Sequence, residues 1–218
     1  MANTAISVSV LNADLSRLAD AAVFVEQSGA DLLHFDVMDG CFVDNISFGL
    51  PVLESLRKHI ALPVDTHLMI RDPLHYTERF AKAGSDLLSF HIESDSDTAD
   101  TVREIHRCGM RAGIALSPDT PTETVFPYLH LLEPDDFVLL MTVVPGRGGQ
   151  AFLPYVLPKI RDLRAKIEAE CLPLHIEVDG GINAETGAQC REAGADMLVS
   201  GSYLFRAADP AAAVQGLR

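Results

Sequence analysis

Two kinds of hydrophobic pattern alternate along the chain. Short apolar runs of strand length occur at Ile6–Val10, Leu32–Val37, Pro63–Leu68, Leu87–His91, Arg111–Leu116, Phe137–Met141, Leu174–Val178 and Met197–Ser200. Between them lie segments with helical periodicity: Asp14–Gln27, Pro51–Lys58, Pro73–Ala83, Thr98–Cys108, Thr122–Leu131, Leu157–Glu170, Ala184–Ala193 and Ala208–Leu217. Asp14, Asp72, Asp97 and Asn183 stand where helix N-caps belong. Four helical segments end in a small-residue turn, at Gly29-Ala30-Asp31, Gly84-Ser85-Asp86, Gly109-Met110-Arg111 and Gly194-Ala195-Asp196, the usual chemistry of a helix-to-strand connection. Eight such β/α units with no linker predict one domain over residues 1–218, a closed (β/α)8 TIM barrel of the α/β class. An open nucleotide-binding sheet would carry GxGxxG after its first strand, where this chain has Leu11-Asn12-Ala13-Asp14.

In a barrel the C-terminal ends of the strands carry the chemistry, so polar residues there acquire meaning. Alternate residues of a strand share a face. His34, Asp36 and Met38 therefore point inward from the second strand, Asp65, His67 and Met69 from the third, and Glu177 and Asp179 from the seventh. His34, Asp36, His67 and Asp179 form a ligand set for one divalent metal ion, with zinc, iron(II), manganese and cobalt all compatible; without a thiolate it does not read as a zinc finger. Asp65 and Glu177, one pleat deeper, are expected to accept hydrogen bonds behind the ligands. His59, His75, His106, His130 and His175 read as surface or packing residues. Asp36 and Asp179 on opposite sides of a metal suit proton removal next to a carbonyl, one taking the proton and the other delivering one to the opposite face. The cation would stabilise the enediolate charge, and the two carboxyls are expected to titrate as a coupled pair.

Glycines cluster after three consecutive strands: Val144-Pro145-Gly146-Arg147-Gly148-Gly149-Gln150, Gly180-Gly181 and Ser200-Gly201-Ser202. Their unobstructed amides can hold a phosphate without side-chain cations, and the last two loops are the habitual phosphate site of the fold. Such a neutral cup is needed, because the net charge of −14 (17 basic, 31 acidic residues) repels anions. The same field argues against nucleic acid and anionic membranes as partners, and no apolar run approaches the roughly 20 residues that span a bilayer. Cys41, Cys108, Cys171 and Cys190 are scattered and expected to be reduced. With the opening Met1-Ala2-Asn3-Thr4-Ala5 lacking an export signal, the expectation is a cytoplasmic protein.

These segments resemble the ribulose-phosphate 3-epimerase family over nearly the whole chain. The likeness lies in Ser9-Val10-Leu11-Asn12-Ala13-Asp14, His34-Phe35-Asp36-Val37-Met38-Asp39-Gly40, His67-Leu68-Met69, Met141-Thr142-Val143-Val144-Pro145-Gly146-Arg147-Gly148-Gly149-Gln150, Glu177-Val178-Asp179-Gly180-Gly181 and Ser200-Gly201-Ser202. The resemblance implies a barrel of the ribulose-phosphate-binding type that interconverts D-ribulose 5-phosphate and D-xylulose 5-phosphate through a cis-enediolate. Asp36 would accept the proton and Asp179 donate, both also ligating the metal beside His34 and His67. Ser9, Met38, Met69 and Met141 would contact the substrate along with the two histidines. Gly146, Gly148, Gly149, Gly180, Gly181, Gly201 and Ser202 would line its phosphate end, where Arg147, read from the residue itself, could add a charge-assisted contact. A homodimer or hexamer is also implied.

The chain departs from the family pattern at Cys41 (usually His), Asp44 (usually Pro), Val144 (usually polar) and Arg147 (usually Phe), all on the rim that meets the sugar. A 3-epimerase of another ketose phosphate, D-allulose 6-phosphate or a tetrulose phosphate, therefore stays open. An inactive sugar-phosphate-binding barrel is a further alternative, although no acid, base or ligand is missing. A decarboxylase or aldol-type barrel like the orotidine-phosphate decarboxylase group would need a lysine in Asp-x-Lys-x-x-Asp, where this chain has Asp65-Thr66-His67-Leu68-Met69-Ile70.

Overall fold

A computed structural model describes residues 4–218, so the first three residues of the opening segment lie outside the described residues. Eight parallel strands, β1 (Ala5–Ser9), β2 (Leu32–Met38), β3 (Val64–Met69), β4 (Leu87–His91), β5 (Arg111–Leu116), β6 (Phe137–Met141), β7 (His175–Asp179) and β8 (Met197–Ser200), pair in chain order, and β8 returns to β1. This closes the expected barrel. Helices α1 (Leu18–Gln27), α2 (Leu50–Leu56), α3 (Pro73–Ala83), α4 (Thr98–Arg107), α5 (Leu157–Ala169), α6 (Ala184–Ala193), α7 (Ser202–Phe205) and α8 (Pro210–Leu217) fall between and after the strands.

The pleat divides each strand between two cores. Outward residues such as Leu33, Phe35, Leu68, Phe90 and Ile114 pack with the helices in the larger one. Inward residues Leu32, Leu87, Ala115, Phe137, Leu139 and Met197 fill the barrel's interior, so the cylinder is a packed support and not a channel. Gly113 makes room for one of these: a Cβ there would lie 2.4 Å from the ring of Phe137.

A fourfold device fixes the strand starts. Asp31, Asp86, Asp136 and Asp196 precede the even-numbered strands, and their carboxylates accept 2.8 Å hydrogen bonds from the backbone N–H of Ile6, Val64, Ala112 and Ile176 on the odd-numbered ones. Gly29, Gly84, Gly109 and Gly194, the turn glycines, all have positive φ, the left-handed conformation that glycine adopts without steric cost. Asp72, Asp97 and Asn183 cap α3, α4 and α6 as expected, the last with a full capping box.

Two expectations need correcting. The segment Thr122–Leu131 is not an α-helix but two 3-10 turns, Thr122–Thr124 and Phe126–Leu131. Pro127 lacks an N–H and its ring would strike the preceding turn, so a helix cannot run through it. Asp14 caps a separate 3-10 turn, Leu15–Arg17, and α1 starts only at Leu18. Strand limits shift by one residue at several ends, most usefully at β3 and β7, which extend to Met69 and Asp179.

Candidate active site

Strands β2 and β3 pair with Asp36 opposite His67 and His34 opposite Asp65. Parallel pairing in this register stacks four inward polar residues side by side, and β7 adds Asp179 from across the mouth. The structure brings together one atom from each of His34, Asp36, His67 and Asp179, all within 4.8 Å of one another. His34 Nε2 and His67 Nδ1 each lie 3.3 Å from Asp36 Oδ1, and 4.0 and 3.8 Å from Asp179 Oδ2. Both rings are fully buried. Ser9 at the end of β1 donates to Asp36 Oδ2 at 2.6 Å.

Each imidazole is held from behind. His34 Nδ1 contacts Asp65 Oδ2 at 2.6 Å, and Ser7 Oγ donates to the same oxygen at 2.8 Å. Glu177 lies beyond, near enough to share a cluster with His34 and Asp65. His67 Nε2 meets His91 Nε2 at 3.0 Å, with the rings stacked 5.1 Å apart, and His91 Nδ1 lies 3.0 Å from Glu93 Oε2. Sequence reasoning passed over His91 and Glu93. The signal was present: His91 is the inward residue that ends β4, two positions before an acid, the same His-x-acid spacing as His34-x-Asp36.

Electrostatics drive the two central carboxyls apart. Burial alone would raise Asp36, but the rings of His34 and His67 outweigh it and hold Asp36 far below the ordinary carboxylate range. Burial, reinforced by the charge of Asp36, pushes Asp179 up to about 7. One site thus contains a carboxylate that stays ionised and a neighbour that takes up a proton near neutrality. Burial disfavours charge on His34, yet Asp65 and Asp36 prevail and raise it well above the usual imidazole value. Burial keeps His67 below that value and lowers His91 to about 4. Burial and then the Asp65 charge push Glu177 well above the ordinary carboxylate value.

Above this cluster a cavity opens to the C-terminal mouth. Ser9, Asp36 and Asp179 form its polar floor, and Met38, Met69 and Met141 line its wall. His34 and His67 lie beneath it. The glycine loops supply the opposite side: Gly146, Arg147, Gly148 and Gly149 after β6, Gly180 and Gly181 after β7, and Gly201 with Ser202 at the start of α7. Gly181 has φ +66°, and a Cβ there would sit 2.6 Å from the Phe152 backbone nitrogen, so only glycine fits. Asn12, another residue given no role from sequence, lies between two of these loops, 2.5 Å from a Cβ built on Gly148 and 2.9 Å from one on Gly201. Asn45 Nδ2 donates to Gly146 O at 2.8 Å and ties the β2–α2 loop to the loop after β6. Cys41, Asp44, Val144 and Arg147 are all exposed on the rim. Of the histidines set aside from sequence, His59, His75 and His130 are exposed, while half-buried His106 and His175 meet Asp136 and Asp196 far from the mouth.

Two carboxyls of opposed proton affinity beside a glycine-lined cavity, both at the mouth of a closed barrel, are the arrangement of a (β/α)8 enzyme. The sequence relatives then name the family. The model of the ribulose-phosphate 3 epimerase family matches residues 5–205. The ribulose-phosphate 3-epimerase of Mycobacterium tuberculosis is 47% identical over 213 residues, covering 98% of this chain and 91% of that protein. The cytoplasmic isoform of ribulose-phosphate 3-epimerase from Oryza sativa is 44% identical over 214 residues, covering 98% and 92%. The chain belongs to the ribulose-phosphate 3-epimerase family, within the isomerase class. Among solved structures, KGPDC from Streptococcus mutans superposes with a TM-score of 0.70 over 99% of this chain and 95% of that one; at 14% identity it shares the fold alone. Among the described residues, no helix is long and apolar enough to cross a membrane.

Proposed function

We propose that the whole chain is one catalytic domain, a metal-dependent 3-epimerase of a ketose phosphate that interconverts D-ribulose 5-phosphate and D-xylulose 5-phosphate. The observation that carries this reading is the opposed proton affinity of Asp36 and Asp179 in one pocket. Inverting a carbon next to a carbonyl needs a base on one face and an acid on the other. Asp36, held ionised and fixed by the Ser9 hydroxyl, takes the C3 proton. Asp179, with its pKa near 7, delivers a proton to the opposite face, and the roles exchange in reverse. Met38, Met69 and Met141 give the reacting carbons a wall without competing hydrogen bonds. Gly146, Gly148, Gly149, Gly180, Gly181, Gly201, Ser202 and the exposed Arg147 hold the phosphate.

The residues present fit a divalent cation. His34 Nε2 is buried without a hydrogen-bond partner and faces Asp36 at 3.3 Å, an atom whose desolvation is left uncompensated by the protein alone. His34, Asp36, His67 and Asp179 would hold the ion, with zinc, iron(II), manganese and cobalt all suited to the donors. When bound, it supplies positive charge that stabilises negative charge developing on the substrate oxygens.

The metal-free ionisation states give a measurable expectation. Below pH 7 Asp179 carries a proton that a cation must displace; above it that proton is already lost. Titrating zinc in buffers of different ionisation enthalpy should release about one proton more per ion at pH 6 than at pH 8.5. Equal release at both would contradict the assignment.

The function itself is tested by stripping metal with a chelator and following C3 in deuterated water. Turnover should stop, then return with added metal, and C3 should acquire deuterium. Undiminished epimerisation without metal would overturn the reading. The exposed rim residues Cys41, Asp44, Val144 and Arg147 favour a second reading in which the preferred substrate is D-allulose 6-phosphate or a tetrulose phosphate. The same assay across the three sugars ranks them. The exposed thiols Cys41 and Cys171 suit a reducing, cytoplasmic setting. Assembly into a homodimer or hexamer completes the proposal, and a solution mass of one 23.6 kDa chain would contradict that part.

A further inference from the structure

The contact between His67 Nε2 and His91 Nε2, at 3.0 Å, requires one donor and one acceptor, because two lone pairs or two N–H groups would repel. Glu93 decides which is which. Its Oε1 accepts from the Ser117 backbone N–H at 2.8 Å and from the Thr120 hydroxyl, so the carboxylate is anchored to the loop after β5. Its Oε2 faces His91 Nδ1 at 3.0 Å and can only accept, which places a proton on that nitrogen. The His91 ring is fully buried and packs against Phe42 with centroids 4.8 Å apart, so it has one orientation. When His67 Nδ1 ligates a cation its proton must sit on Nε2, and His91, with its own proton on Nδ1, presents Nε2 as the acceptor. His67 Nδ1, 3.3 Å from Asp36 Oδ1, is thereby held among the candidate ligands.

We propose that His91 and Glu93 are positioning residues that lock His67 in the tautomer whose Nδ1 can bind a cation. The two imidazoles are backed differently: a carboxylate stands behind His34, whereas a neutral ring relays Glu93 to His67. Partners of this kind fix ligand orientation, and their loss typically weakens metal binding about 10–100-fold. The inference rests on the cation site proposed above for His34, Asp36, His67 and Asp179.

The test compares His91→Phe, which keeps a ring but removes the acceptor, with His91→Gln, whose amide oxygen can accept from His67 Nε2. Cobalt(II) affinity is measured by competition with a chelating dye, and the His67 tautomer is read from ring-nitrogen shifts by NMR in the zinc-loaded parent. The expected results are a proton on His67 Nε2 in the parent, a 10–100-fold loss of affinity in His91→Phe, and recovery of most of it in His91→Gln. A merely structural role would lower both variants alike. Parental affinity in His91→Phe, equal weakness in the two variants, or a His67 proton on Nδ1 would each overturn the inference. If His91→Phe does not fold, the parent's tautomer and the His91→Gln affinity still decide. A parent that binds no cobalt sinks the cation site itself, while a parent that binds it as tightly as His91→Phe sinks only the relay.

Discussion

Asp36→Asn is expected to lower kcat by about 10²–10⁴-fold, the range that general acid–base catalysis supplies. The substitution keeps shape and burial, and an asparagine oxygen can still accept from Ser9, so the fold should persist. What disappears is the negative charge that the His34 and His67 rings hold in place, and with it any capacity to take a proton from carbon. Asp179→Asn should fall by a similar factor for the complementary reason. The two variants differ in exchange. With one carboxylate left, each should wash solvent deuterium into C3 of one epimer without converting it to the other, and the reactive epimer should be opposite in the two variants. Proton NMR of each sugar phosphate in deuterated water checks this. Conversion at the parental rate in either variant would remove that aspartate from the chemistry.

Phe137→Ala should destabilise the protein by about 3–5 kcal/mol, the usual cost of deleting a buried aromatic ring. Phe137 is fully buried inside the barrel and occupies space that Gly113 leaves open, to within 2.4 Å of where a Cβ would be. No helix can move in to fill the gap, since the closed strand ladder stands between. Urea unfolding measures the loss. Gly113→Ala alone should also destabilise, by about 1–3 kcal/mol through overpacking. The pair Phe137→Leu with Gly113→Ala should cost less than the sum, because the added methyl enters volume the smaller side chain vacates. Additive losses would show that the two positions are not packed against each other. At temperatures where Phe137→Ala is folded, turnover should be nearly intact: Met141, not Phe137, is the β6 residue that pairs with Asp179.

The site was legible from sequence to the extent that it follows strand period and strand end. His34, Asp36, His67 and Asp179 alternate with apolar residues on three strands, so their common face was forced by the pleat. The glycine loops were visible because glycine takes without steric cost the positive φ seen at Gly146, Gly149, Gly180 and Gly181. His91 was missed because β4 ends in a single histidine whose acid, Glu93, lies beyond the strand, and its partner is 24 residues away on β3. Asn12 was missed because a short polar residue in a turn carries no period at all.

Composition and pattern alone therefore determined the number and order of strands, most of the helices, the closed barrel, and which carboxylates and imidazoles face inward, since these depend on neighbours along the chain. Proton affinities and partners were decided only by the fold. Asp36 and Asp179 are the same residue type at the ends of strands, yet one is held ionised and the other is raised to about 7. Register sets that difference: it places Asp36 opposite His67 and leaves Asp179 beside an existing negative charge. In a buried space of low dielectric such neighbours outweigh intrinsic chemistry, and no reading of linear order can supply them.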